Sequence, residues 1–263
     1  MAAPKYGTPL ADFMPERTRI LDVLAREENR DLVLRLVGAL AFRTHCPQFG
    51  RLQDELGRVF TDIDLAGYSR QRERVMRLLA DLGYSEDTWV TRLFGDQRLV
   101  YHDEDHGRHI DVFFDQMKFS HVLPLKGRLE AERETLPLAE LLLEKMQIAR
   151  LNEKDLIDTL MLLREHPVGP SDAETIHSGV IAALLAKDWG IWRTVTANLE
   201  AVHLHLGSYP QLTEEDRHIV VERIDQLQAA IEKAPKSLTW KARSVIGDKL
   251  KWYEEVEELS DRI

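Results

Sequence analysis

The stretch VFTDIDLAG, residues 59–67, decides how the first half of this chain is read. Val59, Phe60, Ile63 and Leu65 are apolar, strand-forming residues, and Asp62 and Asp64 interrupt them at a spacing of two. Side chains two apart in a strand share one face, roughly 6–7 Å from each other along the chain. Asp62 and Asp64 are therefore expected side by side, repelling each other among neighbours that solvate them poorly. A divalent cation between them relieves both problems, and hard carboxylate oxygens favour Mg²⁺ or Mn²⁺. A half-exposed strand that turns its acids to water would carry the same letters.

Two further stretches extend the pattern. RHIDVFF (108–114) sets Asp111 between Ile110 and Val112, either as an edge-strand acid facing water or as a third carboxylate beside the pair. Three carboxylates together would form a two-metal phosphoryl-transfer site, in which the metals activate the attacking oxygen and neutralise the leaving pyrophosphate. LVLRLVGALAFR (32–43) reads as a strand that ends in Gly38 and passes directly into a helix. Gly38 lets the backbone approach a phosphate, and the free N–H groups of the helix start face it.

Around these pieces the first half alternates. ERTRILDVLAREEN (16–29) is spaced as a helix, and SRQRERVMRLLADLG (69–83) as a helix between Ser69 and Gly83. TWVTRLF (88–94), QRLVYH (97–102) and RHIDVFF read as strands, the last two joined by the turn DEDHG, and FSHVLPL (119–125) as one more. After Pro137 the periodicity is helical, with six successive candidate helices separated by HPVGPS (166–171), GSYPQ (207–211) and Pro235. Residues 1–125 are thus expected to form an α/β domain and residues 126–263 a helical one.

Composition bounds the function. The chain has 263 residues, 44% apolar and 30% charged, which supports a real core and excludes wholesale disorder. Its net charge of −10 argues against coating nucleic acid through bulk charge, but not against a local basic groove. The single Cys46 excludes an internal disulfide framework and a cysteine zinc cluster. No apolar run approaches the roughly 18 residues that span a bilayer, and MAAPKYGTPLADF does not read as a signal peptide. The expectation is a soluble, cytoplasmic protein without a membrane partner.

Gly38 at a strand–helix junction, DID in a strand and a lone Asp111 in a later strand resemble, in this order, the nucleotidyltransferase superfamily of the DNA polymerase β type. LAELLLEKMQIARLNEKDLIDTLMLLREH (138–166) is similar to the helical pair that follows the core in nucleotidyltransferases related to the abortive-infection toxin AbiEii. Lys145 in the first helix and Lys154-Asp155 in the second match typical features there, Asp158 lies one turn on, and Arg58 fits the basic residue often seen ahead of the acidic pair. The resemblance covers roughly residues 31–165 and implies an α+β fold: a nucleotidyltransferase-type mixed sheet with flanking helices, followed by an all-helical C-terminal domain.

It also implies roles. Asp62 and Asp64 would bind Mg²⁺ (or Mn²⁺) and the triphosphate, and Asp111 would complete the metal site and orient or deprotonate the acceptor hydroxyl. Gly38, Ala39 and Arg58 would border the nucleotide, Lys145 would contact the triphosphate, and Asp155 would position Lys145 or the acceptor. The implied reaction moves a nucleoside monophosphate from an NTP such as ATP to a hydroxyl of a tRNA end, a protein or a small molecule. The AbiEii-like features favour a toxin-type activity with an antitoxin partner. Two departures stand out: Ala39 where the family has Gly or Ser, and THCPQFGRLQDELGR (44–58) lengthening the interval from Gly38 to Asp62. They point to a remodelled nucleotide pocket or to a non-catalytic binding or regulatory module.

Other features have plainer readings. HDEDHGRH (102–109) has the residues of a zinc site but also the polarity a hairpin turn needs. Arg70, Arg72, Arg74 and Arg77 read better as a solvated helix face than as an RNA guide. Lys233 to Lys251 holds six basic residues and one acid, with Trp240 inside and Trp252 just beyond, a pattern that grips nucleic acid or anchors a terminal helix.

Overall fold

The computed structural model of the chain describes residues 10–56, 58 and 60–255. The fold is mixed α/β, built on a mixed sheet with helices, and its chain divides into two compact units. One is Met1–Met117 with Pro124–Leu136; the other is Lys118–Leu123 with Pro137–Ile263.

In the first unit α1 (Leu10–Leu24) buries Phe13 and Ile20, and is followed by β1 (Leu34–Val37), α2 (Gly38–His45), α3 (Arg51–Glu55) and β2 (Asp62–Gly67). Then come α4 (Arg72–Asp81), β3 (Ser85–Glu86), α5 (Thr88–Phe94), β4 (Arg98–Asp103) and β5 (Arg108–Phe114). Two short strands, β6 (Gln116–Lys118) and β7 (Val122–Pro124), lie where the sequence passes between units.

The strand order is β1-β2-β5-β4-β3, with β2 and β5 parallel and the other pairings antiparallel. The alternation of β2 is read directly into the sheet. Ile63 and Leu65 pair with Ile110 and Val112 of β5, and all four are fully buried. Each such side chain stabilises the fold by about 1.5–3 kcal/mol. The opposite face carries Asp62, Asp64 and their register partners His109 and Asp111. The choice of face is therefore enforced: a slip of one residue would turn two carboxylates into the apolar core.

Expectations for the first unit are corrected at three places. TWVTRLF is helix α5, not a strand: Asp87 accepts from the N–H groups of Trp89 and Val90, an N-cap that the β-like composition hid. Only Val90 of α5 is buried, whereas Trp89, Leu93 and Phe94 are exposed. Asp111 is not on an edge strand, since β5 is the middle strand of the five. The DID strand begins at Asp62, and Val59 of the expected strand lies outside the described residues. The inserted 44–58 segment contains α3, tied back by Arg43, whose guanidinium donates to the Gly50 carbonyl and to Asp54.

The second unit contains the six expected helices: α6 (Leu138–Met146), α7 (Glu153–Glu165), α8 (Ser178–Leu185), α9 (Trp189–His205), α10 (Glu214–Lys233) and α11 (Leu238–Ile246). It is not all-helical, because β8 (Val168–Gly169) and β9 (Ile176–His177) form a small parallel pair. All nine residues of α6 are buried, and Asn198 of α9 closes its C-terminal end by donating to the carbonyls of Met146 and Ile148. Capping boxes start α7 (Asn152 with Asp155) and α10 (Thr213 with Asp216). Among the described residues no helix is long and apolar enough to cross a membrane.

Candidate active site

The pairing of β2 with β5 sets the site. Asp64 and Asp111 are register partners across the parallel ladder, and Asp62 stands opposite His109. Three carboxylates and an imidazole thus occupy one patch of one sheet face. His109 Nε2 lies 3.8 Å from an oxygen of Asp62 and 3.8 Å from an oxygen of Asp111, bridging the acids. Asp62 and Asp64 are half-exposed, whereas Asp111 is buried.

The residue the sequence reading missed is Arg98. Its Nε and one terminal nitrogen donate to the two oxygens of Asp111, each at 2.8 Å, and its guanidinium lies 5.4 Å from the centre of the Phe113 ring. Such a two-point pair fixes the plane of the carboxylate as well as its charge. Burial alone would ease the proton off Arg98; the bond to Asp111 and the charges of Asp111, Asp64 and Asp62 outweigh it and raise its pKa. Arg98 is therefore a fixed cation among three acids. A signal for it was present: the DEDHG turn sets Val100 opposite Asp111, and Arg98, two residues away, falls on the same face.

Gly38 closes the site from β1. Val37 is the register partner of Asp64, so the strand-to-helix junction falls directly beside that carboxylate. Gly38 has φ +65°, a left-handed conformation that other residues rarely adopt, and a Cβ there would collide with the Asp64 carboxylate. Ala39 is buried in the first turn of α2. Arg58 stacks its guanidinium on Phe60, 5.1 Å from the ring centre, and its backbone N–H donates to the Gln53 carbonyl.

Lys145 and Asp155 belong to the second unit, where they form a buried ion cluster. Lys145 Nζ is 3.4 Å from Asp155, 3.3 Å from Asp158 and 3.7 Å from Glu144. Asp158 is 0% exposed, a position at which a carboxylate persists only if paired. Asp155 also completes the capping box of α7. Lys154 is exposed.

The donor set bears directly on a metal. Asp62 and Asp64 supply hard oxygens beside a glycine cradle, which suits a divalent cation in chemistry. Among the described residues, however, no group of three or more His, Cys, Asp or Glu is arranged to hold a metal ion, and both oxygens of Asp111 are taken by Arg98. HDEDHGRH spans the turn between β4 and β5, where Asp103 accepts from Arg108 and pairs with His106.

No protein-family model matches this chain, and no curated protein matches it.

Proposed function

We propose that this chain is a metal-dependent nucleotidyltransferase of the polymerase β type, transferring a nucleoside monophosphate from an NTP to an acceptor hydroxyl. The observation that carries the reading is the juxtaposition of Asp62, Asp64 and Asp111 on one sheet face, with the Gly38 junction against Asp64. A purely structural α/β protein would leave the DID strand and Asp111 apart, and they are adjacent. Asp62 and Asp64 would hold Mg²⁺ or Mn²⁺, which when bound neutralises triphosphate charge and activates the attacking oxygen.

The chain's own groups do the rest by position and charge. Gly38 gives the triphosphate access to the backbone N–H groups at the start of α2. Arg98 holds Asp111 rigid and adds a positive charge beside the acids. Asp111 orients the acceptor hydroxyl.

A second reading has one observation in its favour. With both oxygens of Asp111 committed to Arg98, the guanidinium stands where a cation would otherwise serve, as expected of a non-catalytic binding module. Calorimetric titration with ATP in the presence and absence of Mg²⁺ separates the two. A nucleotidyltransferase binds the nucleotide in a Mg²⁺-dependent manner that Asp62→Asn/Asp64→Asn abolishes; a module with a dead site binds equally well with or without the metal.

A further inference from the structure

We propose that the second unit carries a binding site for single-stranded nucleic acid, with indole rings taking the bases and Lys187 and Lys251 the phosphates. As a binding site, it stands without the transferase reading.

The site is a cavity of about 590 Å³ whose walls include Trp189, Trp240 and Trp252 with Lys187, Lys251 and Arg243, whose two terminal nitrogens donate to the carbonyls of Gly247 and Leu250. That volume lies within the usual range for sites that hold a ligand the size of a nucleotide. Two of these cations lie against rings. Arg243 lies 4.6 Å from the centre of Trp189 and Lys251 5.2 Å from that of Tyr253, while Arg193, behind the wall, lies 5.7 Å from Trp252. Alternating rings and cations suit a strand that alternates flat bases with phosphates.

The acids at the cavity offset only part of this charge, since its lining sets Lys118, Lys187, Arg243 and Lys251 against Asp188 and Glu254. Glu254 pairs with Lys118 at 3.0 Å, and Asp188 is occupied in capping α9 through the N–H groups of Gly190 and Ile191. Lys251 pairs with Glu255 at 3.2 Å, an exposed contact that a phosphate can replace. Lys187 is exposed, and among the described residues no carboxylate pairs with it.

The rings form a braced platform. Trp189 packs edge-on against Trp252 with centroids 6.0 Å apart, and Trp192 against Trp240 at 5.0 Å. Trp240 and Trp252 nevertheless remain half-exposed, which an anchor of a terminal helix need not be. Trp252 satisfies its indole N–H on Thr194, whereas the buried indole N–H of Trp240 has no acceptor among the described residues. The sequence has the same bias: six basic residues against one acid from Lys233 to Lys251, in a chain of net charge −10.

The test uses the full chain carrying Asp62→Asn/Asp64→Asn, without metal or NTP, so that binding is measured apart from catalysis. A labelled oligoribonucleotide of about 12 nucleotides is titrated by fluorescence anisotropy and by tryptophan quenching. Titrations at roughly 50 and 200 mM salt give the slope of log affinity on log salt. Binding should quench tryptophan, Trp240→Ala should weaken it about tenfold, and Trp240→Phe should keep most of it. Lys187→Ala/Lys251→Ala, at exposed positions, should lower that slope by about 1.4, two phosphate contacts at about 0.7 each. The proposal is overturned by an oligonucleotide that does not bind at the lower salt. It is equally overturned by binding that both sets of variants leave unchanged, or by ATP alone binding as tightly as the oligonucleotide. RNA binding without any nucleotidyl transfer by the unmutated chain would remove the catalytic reading and leave this one standing.

Discussion

Asp64 and Asp111 face each other across two parallel strands, and the buried member of the pair is held by both arms of Arg98. Two like charges at adjacent register positions are unfavourable unless a cation lies close. In this fold the side chain of Arg98 supplies it.

Replacing Arg98 should therefore cost more than a surface ion pair. Arg98→Ala leaves Asp111 buried without its partner and is expected to lower stability by about 2–4 kcal/mol, less than a wholly buried pair because Arg98 is 30% exposed. Arg98→Lys keeps the charge but not the two-point bond and should cost about half as much. Urea unfolding measures both. Mn²⁺ should raise the melting temperature of Arg98→Ala more than that of the unmutated chain, because a cation then serves the unpaired carboxylate.

Gly38→Ala brings two penalties together. The left-handed backbone costs a side chain about 1–2 kcal/mol, and the new Cβ displaces the Asp64 carboxylate. We expect a fall in the urea midpoint together with loss of any Mn²⁺-induced rise in melting temperature. Gly107→Ala is the control: it has φ +63° in the β4–β5 turn with open space around it, and should show the first effect without the second.

Lys145→Met tests the buried cluster of the second unit. It leaves Asp158, 0% exposed, and Asp155 without their shared cation. A loss of about 3–5 kcal/mol is expected. Adding Asp158→Asn to Lys145→Met should recover part of it, since the unpaired charge is removed. A double-mutant cycle in urea reads the coupling.

His121 sets a pH dependence. Burial lowers its pKa, against the upward pull of Asp188 and Glu254. Its Nε2 lies 2.8 Å from the Thr194 hydroxyl, which also accepts from Trp252. The unfolded chain takes up the proton first as pH falls. The contribution of the neutral ring is therefore complete above about pH 6.5, and is lost at lower pH down to the folded-state value. The unfolding free energy from urea should fall between pH 7.5 and 5.5, with His121 contributing no more than about 1.4 kcal/mol per pH unit. His121→Asn should flatten that fall.

Much of this organisation was legible from residues, and for definable reasons. Strand alternation placed Asp62 and Asp64 on one face, and GALAFRTH is a helix from Gly38 to His45, because these are local properties of period and backbone. The six C-terminal helices were readable from their apolar spacing and breakers. TWVTRLF was misread because its aromatic and β-branched residues suit a strand, while one side chain before it, Asp87, caps a helix. The position of Asp111 in the middle strand and the grip of Arg98 depend on which strands are neighbours, and a sequence does not display that order. Arg98 came within reach only through the β4–β5 hairpin register.

The central claim is nucleotidyl transfer at Asp62 and Asp64. The direct measurement incubates the full chain with each α-³²P-labelled NTP, with Mg²⁺ or Mn²⁺, and follows label into RNA, protein and small-molecule fractions of a cell extract. The account predicts label in one fraction, absent with Asp62→Asn/Asp64→Asn and strongly reduced with Gly38→Ala. Folded protein that labels no fraction with any NTP and either metal would contradict it and leave the non-catalytic module as the better reading.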